Sequence, residues 1–279
     1  MEYGVIIFPI EDATPLSQLA VEAQVRGFDA LFVPEHTHIP TSRRSPYIGG
    51  GDIPPEYLRI PDPFIALAGA AAVASKIKFG TAVCLVVEHD PIELAKQVAT
   101  LDRLCDGRFI FGVGAGWNAE EMANHGTDFK TRWKLLRERV AAMKAIWTQD
   151  EAQYHGEFVN FDPIWCYPKP IQKPYPPVYL GGHKAASLRR VVDYCDGWMP
   201  VLHLIPDFPA TIADLRRRAE EARRDPATIK TIVMGAPRDR KGLDRLEATG
   251  VDCAVFHLRP APEEVVLPQL DRIARIIGG

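Results

Sequence analysis

Short apolar runs of strand character alternate along this chain with segments whose apolar residues recur at helical spacing. The strand-like runs lie at residues 4–8, 30–33, 77–83, 109–113, 178–180, 197–199, 231–234 and 252–256. Strands separated by helices form a parallel sheet, and eight such units close more readily into a barrel than into an open sheet. The pattern therefore predicts an α/β fold, a single (β/α)8 TIM barrel of one domain over residues 1–279.

Polar residues followed by proline mark the starts of helices. Thr14 and Pro15 are predicted as the N-cap and first residue of the first helix, and Asp62 precedes Pro63 in the same way. The most regular stripe of apolar residues, at steps of three and four, runs through residues 133–147 and predicts core packing.

Two long segments interrupt the alternation. Residues 37–61, after the second strand, contain five prolines and three successive glycines and are a candidate lid. Residues 149–177, after the fourth strand, hold a predicted hairpin around His155-Gly156 and six prolines. We interpret both segments as insertions in the barrel.

Composition narrows the class of partner. A net charge of −3 with interspersed charges is not typical of a protein that binds nucleic acid or an anionic membrane, so the expected partner is a small molecule. The five cysteines are far apart and are expected to be free buried thiols in a reducing compartment. The chain starts without a basic leader, and its longest apolar stretch, residues 64–74, is too short to span a bilayer. We therefore expect a cytoplasmic protein.

Candidate chemistry is sought in the loops that follow the strands, where barrel enzymes build their active sites. Gly112, Gly114 and Gly116 alternate after the fourth strand, which would let a flat ring or a phosphate approach the backbone. Simple turn formation explains them equally well. Gly181-Gly182 precedes a helix start that suits a phosphate, although a tight turn is again an alternative.

Histidines near the second strand suggest a different chemistry. If the strand continues past Glu35, His36 and His38 share a face, and two imidazoles at a barrel mouth can bind a metal ion. The main alternative is therefore a metal-dependent hydrolase of the amidohydrolase type, with His183 and His203 as further ligands. A structural role for each of these histidines stays open.

The amidohydrolase pattern is not matched at three positions. That family carries a His-x-His pair on the first strand, a lysine at the end of the fourth and an aspartate at the end of the last. The chain has Phe8-Pro9, Gly114-Ala115 and Phe256-His257 there. We therefore predict no metal site.

Three segments resemble the luciferase-like monooxygenase superfamily: KQVATLD at 96–102, DGRFIFGVGAGW at 106–117 and DGW at 196–198. The resemblance extends over nearly the whole chain and is strongest to an actinobacterial branch that depends on the deazaflavin coenzyme F-420. It implies a cofactor ring across the ends of the early strands, a flanking glycine turn, and a phosphate at the fifth strand. It also implies a non-proline cis peptide near Val83-Cys84. The cofactor-binding residues implied in this way are Phe8, Glu35, Thr81, Ala82, Val83, Gly114, Ala115, Gly116, Trp117, Gly181, Gly182 and His183.

Glu35-His36 matches an acid-histidine pair of F-420-dependent sugar-phosphate dehydrogenases in this superfamily. The resemblance implies that His36 acts near the transferred hydride, and an imidazole is a suitable proton partner for that reaction. Those enzymes carry a tryptophan and an acid where this chain has Pro40 and Trp117, so a sugar phosphate is not the predicted substrate.

The leading hypothesis is an F-420-dependent oxidoreductase that acts on a small organic substrate beneath the loop of residues 37–61. An FMN-dependent monooxygenase is the alternative, and a cofactor-binding protein without turnover is a third possibility. Relatives are commonly dimers, so a homodimer is expected.

Overall fold

Eight parallel strands close into a barrel in the computed structural model, which describes residues 1–278. The strands are β1 (Glu2–Ile6), β2 (Ala30–Val33), β3 (Lys78–Thr81), β4 (Cys84–Leu85), β5 (Phe109–Gly114), β6 (Ala152–His155), β7 (Asn160–Ile164), β8 (Val178–Gly181), β9 (Gly197–Met199), β10 (Lys230–Met234) and β11 (Cys253–His257). The barrel order is β1, β2, β3, β5, β8, β9, β10 and β11, and the first strand pairs with the last, with Glu2 opposite Cys253. Strands β6 and β7 form the separate hairpin predicted around His155-Gly156. The (β/α)8 prediction is confirmed.

Helices cover the outside of the barrel. Asp62 caps the second helix by accepting a hydrogen bond from the Ile65 amide, as its position before proline predicts. Thr14 is not a cap, which corrects the prediction: Pro15 occupies the N-cap position of the first helix, and the Thr14 hydroxyl donates to the Ala261 carbonyl. The helices are α1 (Leu16–Val25), α2 (Pro63–Ala71), α3 (Pro91–Leu104), α4 (Ala119–Asn124), α5 (Arg132–Thr148), α6 (Ala185–Tyr194), α7 (Phe208–Glu221), α8 (Arg240–Glu247) and α9 (Glu263–Ile277).

The main core lies between the strands and this helical layer. The stripe on α5 packs into it as predicted, with Leu136, Val140, Met143 and Trp147 buried. The Trp147 indole N–H donates to the Ala95 carbonyl on α3 at 2.9 Å, so burial leaves no unpaired donor on this ring. Within residues 1–278 no helix is long and apolar enough to cross a membrane.

The third barrel strand is split in two at the mouth. A cis peptide joins Ala82 to Val83 between β3 and β4, one residue before the predicted position. Both halves pair with β5, and the glycines of β5 make room for the split. A Cβ atom on Gly112 would lie 2.0 Å from the Thr81 carbonyl oxygen, and one on Gly114 would lie 2.6 Å from Val83 Cγ2. Close packing of the two strands therefore explains these glycines.

Candidate active site at the barrel mouth

His36 lies just beyond the end of β2, at the carboxyl-terminal mouth of the barrel, and is buried. Its Nδ1 atom is 2.6 Å from Glu121 Oε2, while the Trp117 indole N–H donates to its Nε2 atom at 3.3 Å. A carboxylate can only accept and an indole can only donate, so the two contacts assign the neutral tautomer with the proton on Nδ1. The ring thus presents an unprotonated Nε2 atom beside Trp117.

Glu121 is the partner that fixes this orientation. It lies on the short helix α4 and is fully buried, and its second oxygen accepts the Thr37 amide N–H at 3.0 Å. Asn118 caps the same helix through hydrogen bonds from the amides of Glu120 and Glu121. Glu121 was not among the residues predicted from the sequence. An Asn cap with an acid three residues later is a signal for a helix start, although it does not indicate which side chain the acid contacts.

Glu35 points away from His36 into the base of the split strand. Its carboxylate accepts the Leu85 amide N–H at 2.5 Å and lies 2.9 Å from His89 Nε2. Burial raises the pKa of Glu35, but the hydrogen bond and charge of His89 outweigh burial and lower it. The pKa of His89 is raised because Glu35 outweighs the effect of burial on the imidazole. Buried Glu35 and partly buried His89 thus form an ion pair beside β4.

Two histidines of the metal hypothesis, His36 and His38, are bound to other groups. The nitrogens of His36 contact Glu121 and Trp117, and those of His38 contact Thr37 and Asn124. Over residues 1–278, the one group of three ligand-type side chains close enough to share an ion is Glu35, Cys84 and His89. Both Glu35 oxygens are engaged there by Leu85 and His89, so this cluster is an ion pair with an adjacent buried thiol.

Aromatic rings from the first insertion cover His36. The Tyr57 ring lies 4.8 Å from Phe8 and 5.5 Å from His36, measured between centroids, and the Tyr47 ring packs edge-on against Tyr57 and Trp117. Burial, followed by the hydrogen bond with the Tyr47 hydroxyl, raises the pKa of Tyr57, so its hydroxyl stays protonated.

Polar contacts hold the same insertion, residues 37–61, to the rim. Ser45 donates to the Glu120 carboxylate, and Arg59 pairs with Glu11 and Asp12. The segment predicted as a lid therefore lies across the mouth, and its aromatic side chains face the histidine.

Gly181 ends β8, and Gly182 follows it in the turn that leads to α6. Gly182 has a φ of +143°, and a Cβ atom there would lie 2.5 Å from Ser187 Oγ, so only glycine fits. The Trp198 indole N–H donates to the Gly182 carbonyl at 2.8 Å and fixes the turn. Within the described chain no side chain caps α6, whose first-turn amides follow His183 and the exposed Lys184. Uncapped amides beside a lysine fit a phosphate group.

The remaining predicted residues divide between the mouth and the interior. Phe8, Ala82, Val83, Gly116 and Trp117 are partly exposed, and of these Trp117 contacts His36 directly. Thr81, Gly114 and Ala115 are buried, and the Thr81 hydroxyl donates to the Gly112 carbonyl. Val83 connects the two halves of the predicted site, since its side chain fills the space above both Gly114 and Gly181.

Comparison with known proteins places this geometry in a family. The chain is 44% identical over 203 residues, 71% of its own length and 72% of the relative's, to an uncharacterized protein of Mycobacterium tuberculosis. The monooxygenase RslO1 from Streptomyces bottropensis has a similar fold, with a TM-score of 0.81 at 20% identity over 99% of this chain and 98% of that one.

An F-420-dependent secondary alcohol dehydrogenase, solved with an F-420-acetone adduct, superposes with a TM-score of 0.77 at 17% identity over 100% of this chain and 99% of that one. The family model for luciferase-like monooxygenases matches residues 2–237. The protein belongs to the luciferase-like monooxygenase family.

Proposed function

We propose that the protein is a coenzyme F-420-dependent oxidoreductase that moves hydride between the deazaflavin and a carbon bearing oxygen in a small organic substrate. The observation that carries the proposal is the arrangement around His36, with Nδ1 held by Glu121 and Nε2 unprotonated at the mouth. A base in this state suits an alcohol that loses hydride from carbon and a proton from oxygen.

The cofactor would be held by two parts of the mouth. The uncapped amides of α6 with Gly182 and Lys184 fit its phosphate, and the partly exposed Ala82 and Val83 at the split strand fit a flat ring. When bound, F-420 supplies a ring carbon that accepts or gives hydride. The same residues suit FMN, because both cofactors combine a tricyclic ring with a phosphate.

The chain's own residues handle the proton. In the oxidative direction the substrate hydroxyl displaces the Trp117 indole from His36 Nε2 and passes its proton to that atom as the carbonyl forms. Glu121 stabilises the resulting imidazolium through Nδ1. The rings of Tyr57 and Phe8 cover the reacting groups and exclude water. In the reverse direction His36 returns the proton to the oxygen of the reduced carbonyl.

The test titrates purified protein with F-420 and, separately, with FMN while cofactor fluorescence is followed. We expect F-420 to bind and to be reduced by one or more members of a panel of secondary alcohols. His36→Ala should bind F-420 and lose this turnover, whereas His155→Ala, at an exposed histidine on the β6 strand, should behave like the wild type.

Other results would change the assignment. Binding of FMN alone, with oxygen consumed when the flavin is reduced, would favour the monooxygenase. Binding of F-420 with equal turnover in His36→Ala would remove His36 from the mechanism. F-420 binding without turnover of any alcohol or carbonyl compound would favour a cofactor-binding protein, and failure to bind either cofactor would overturn the proposal.

A further inference from the structure

A second buried acid, Glu88, lies behind the dyad of His36 and Glu121. It ends the 3-10 turn Val86–Glu88 that follows β4, and its side chain has no exposed surface. Neither carboxyl oxygen receives a hydrogen bond from a donor within residues 1–278. A carboxylate removed from water without donors is strongly disfavoured, so this position calls for a neutral acid.

The charges around Glu88 also favour the neutral acid. Burial, followed by repulsion from Glu121 on α4 and from Glu35 after β2, raises the pKa of Glu88 to about 9, although the nearby Thr37 hydroxyl acts in the opposite direction. The cations nearby are engaged or distant. His89 pairs with Glu35, and the Arg139 guanidinium of α5 donates to the Val86 carbonyl.

One more basic group approaches Glu88 from the solvent side. His125 Nε2 is 3.8 Å from Glu88 Oε2, which is too far for a hydrogen bond. It is instead hydrogen-bonded to Thr37 Oγ1 at 2.8 Å. The His125 ring is also 5.5 Å from that of His38. Burial, followed by the charge of His38, lowers the pKa of His125, so it offers Glu88 no lasting positive charge.

A neutral Glu88 has a hydroxyl that needs an acceptor. The neighbouring Glu121 carboxylate already accepts two donors and has lone pairs for more. A hydrogen bond between two carboxyl groups requires a proton on one of them. The Thr37 hydroxyl is the group near Glu88 that would stabilise its charge, but it is shared with His38 and His125 and does not outweigh burial and the repulsion from Glu121 and Glu35. Two hydrogen-bond donors contact the Glu121 carboxylate, so a negative charge is better stabilised on Glu121 than on Glu88.

We propose that Glu88 is a positioning residue of the active site: as the neutral acid it donates a hydrogen bond to Glu121 and so holds the Glu121 carboxylate against Nδ1 of His36. Glu88 does not touch the substrate in this scheme. It maintains the tautomer that leaves Nε2 free. The effect on turnover rests on the function proposed above, whereas the protonation of Glu88 does not.

Infrared spectroscopy of the protein without cofactor tests the protonation directly. We expect the carbonyl stretch of a protonated carboxylic acid at neutral pH, shifted in D2O and lost with a midpoint near pH 9. Glu88→Gln should lack this band. Glu93→Gln, at an exposed acid in the first turn of α3, should keep it and serves as the matched control. A band that persists in Glu88→Gln, or is absent from the wild type, would overturn the proposal.

A pair of substitutions tests the link to His36. The glutamine amide can donate to Glu121 as the neutral acid does, but leucine cannot. Glu88→Gln should keep the Nδ1–H tautomer of His36 in nitrogen-15 NMR spectra, and Glu88→Leu should lose it in a large fraction of molecules. If an alcohol substrate has been found, Glu88→Leu should lower kcat roughly tenfold, the size expected for one hydrogen bond to a charged group.

The outcomes separate this inference from the function. Loss of the tautomer in both variants would mean that Glu88 acts as an anion, and an unchanged tautomer in both would mean that it does not act on His36. Either result refutes the positioning role even if F-420 binds and turns over. Confirmation of the infrared band and tautomer in a protein that fails to bind F-420 would leave this inference standing and refute only the proposed function.

Discussion

Replacing Glu121 by glutamine tests whether this carboxylate fixes the proton on His36 Nδ1. Glutamine preserves size and shape but replaces one acceptor oxygen by an NH2 group. The carboxylate accepts from His36 Nδ1 at 2.6 Å and from the Thr37 amide at 3.0 Å, so an amide can satisfy one of the two donors only. The His36 ring can adapt by moving its proton, whereas the peptide N–H of Thr37 cannot. We expect the amide oxygen to face Thr37 and the NH2 group to donate to Nδ1.

The size of the effect follows from the charge-assisted hydrogen bond that the substitution removes. One hydrogen bond to a buried charged group contributes about 1.5–3 kcal/mol to the free energy of unfolding. For a chain of this length that change corresponds to a fall in melting temperature of about 3–12 °C. The proton moved to Nε2 would meet the Trp117 indole N–H, since both groups then donate. Without the free base, any His36-dependent kcat should fall by about 10²–10⁴-fold.

Nitrogen-15 NMR of the imidazoles, together with thermal unfolding, measures both consequences without a known substrate. Glu121→Gln should convert His36 to the Nε2–H tautomer, and Glu93→Gln should leave it unchanged. An unaltered tautomer in a Glu121→Gln protein whose melting temperature matches the wild type would refute the role assigned to Glu121.

Two further predictions concern stability. Gly114→Ala should lower the free energy of unfolding by about 1–3 kcal/mol in chemical denaturation, because its Cβ atom would lie 2.6 Å from Val83 Cγ2. The control Gly69→Ala in α2, where the added atom meets nothing within 4 Å, should raise the free energy of unfolding by up to about 1 kcal/mol. Equal effects of the two substitutions would contradict the packing argument. The Glu35–His89 pair should stabilise the fold most between pH values of about 4.3 and 6.5. The pKa of Glu35 is lowered in the folded protein, so its contribution to stability is lost as the pH falls through that folded-state pKa. The pKa of His89 is raised, so its contribution is lost as the pH rises through the folded-state pKa of His89. His89→Gln should flatten both limbs of the measured stability-pH curve, and a curve of unchanged shape would refute the ion pair.

The fold could be predicted from sequence because its signals are local. Strand and helix periodicity, and the Asp62-Pro63 start of α2, depend on residues a few positions apart. Thr14 had an equally good local signal, yet its hydroxyl pairs with Ala261, 247 positions along the chain. A cap is assigned wrongly from sequence when a tertiary partner competes for the same side chain.

The candidate site was predicted only in part for the same reason. His36 follows a strand end, so its place at the mouth follows from the fold. Its partner Glu121 lies 85 positions away on a helix of six residues, too short to show a periodic pattern. The glycines of β5 were open to two interpretations, since the sequence does not show that Val83 approaches Gly114 from the neighbouring strand.

The insertion of residues 37–61 has a consequence for how such enzymes diversify. Thr37 and His38 contact Glu121 and Asn124 of α4, whereas the other tethers described for the insertion reach side chains on the rim, namely Phe8, Glu11, Asp12, Trp117 and Glu120. Residues 39–61 can therefore be exchanged without removing a contact to Glu121. Exchange of this stretch between relatives is expected to change substrate preference while the contacts of His36, Thr37 and Glu121 are kept.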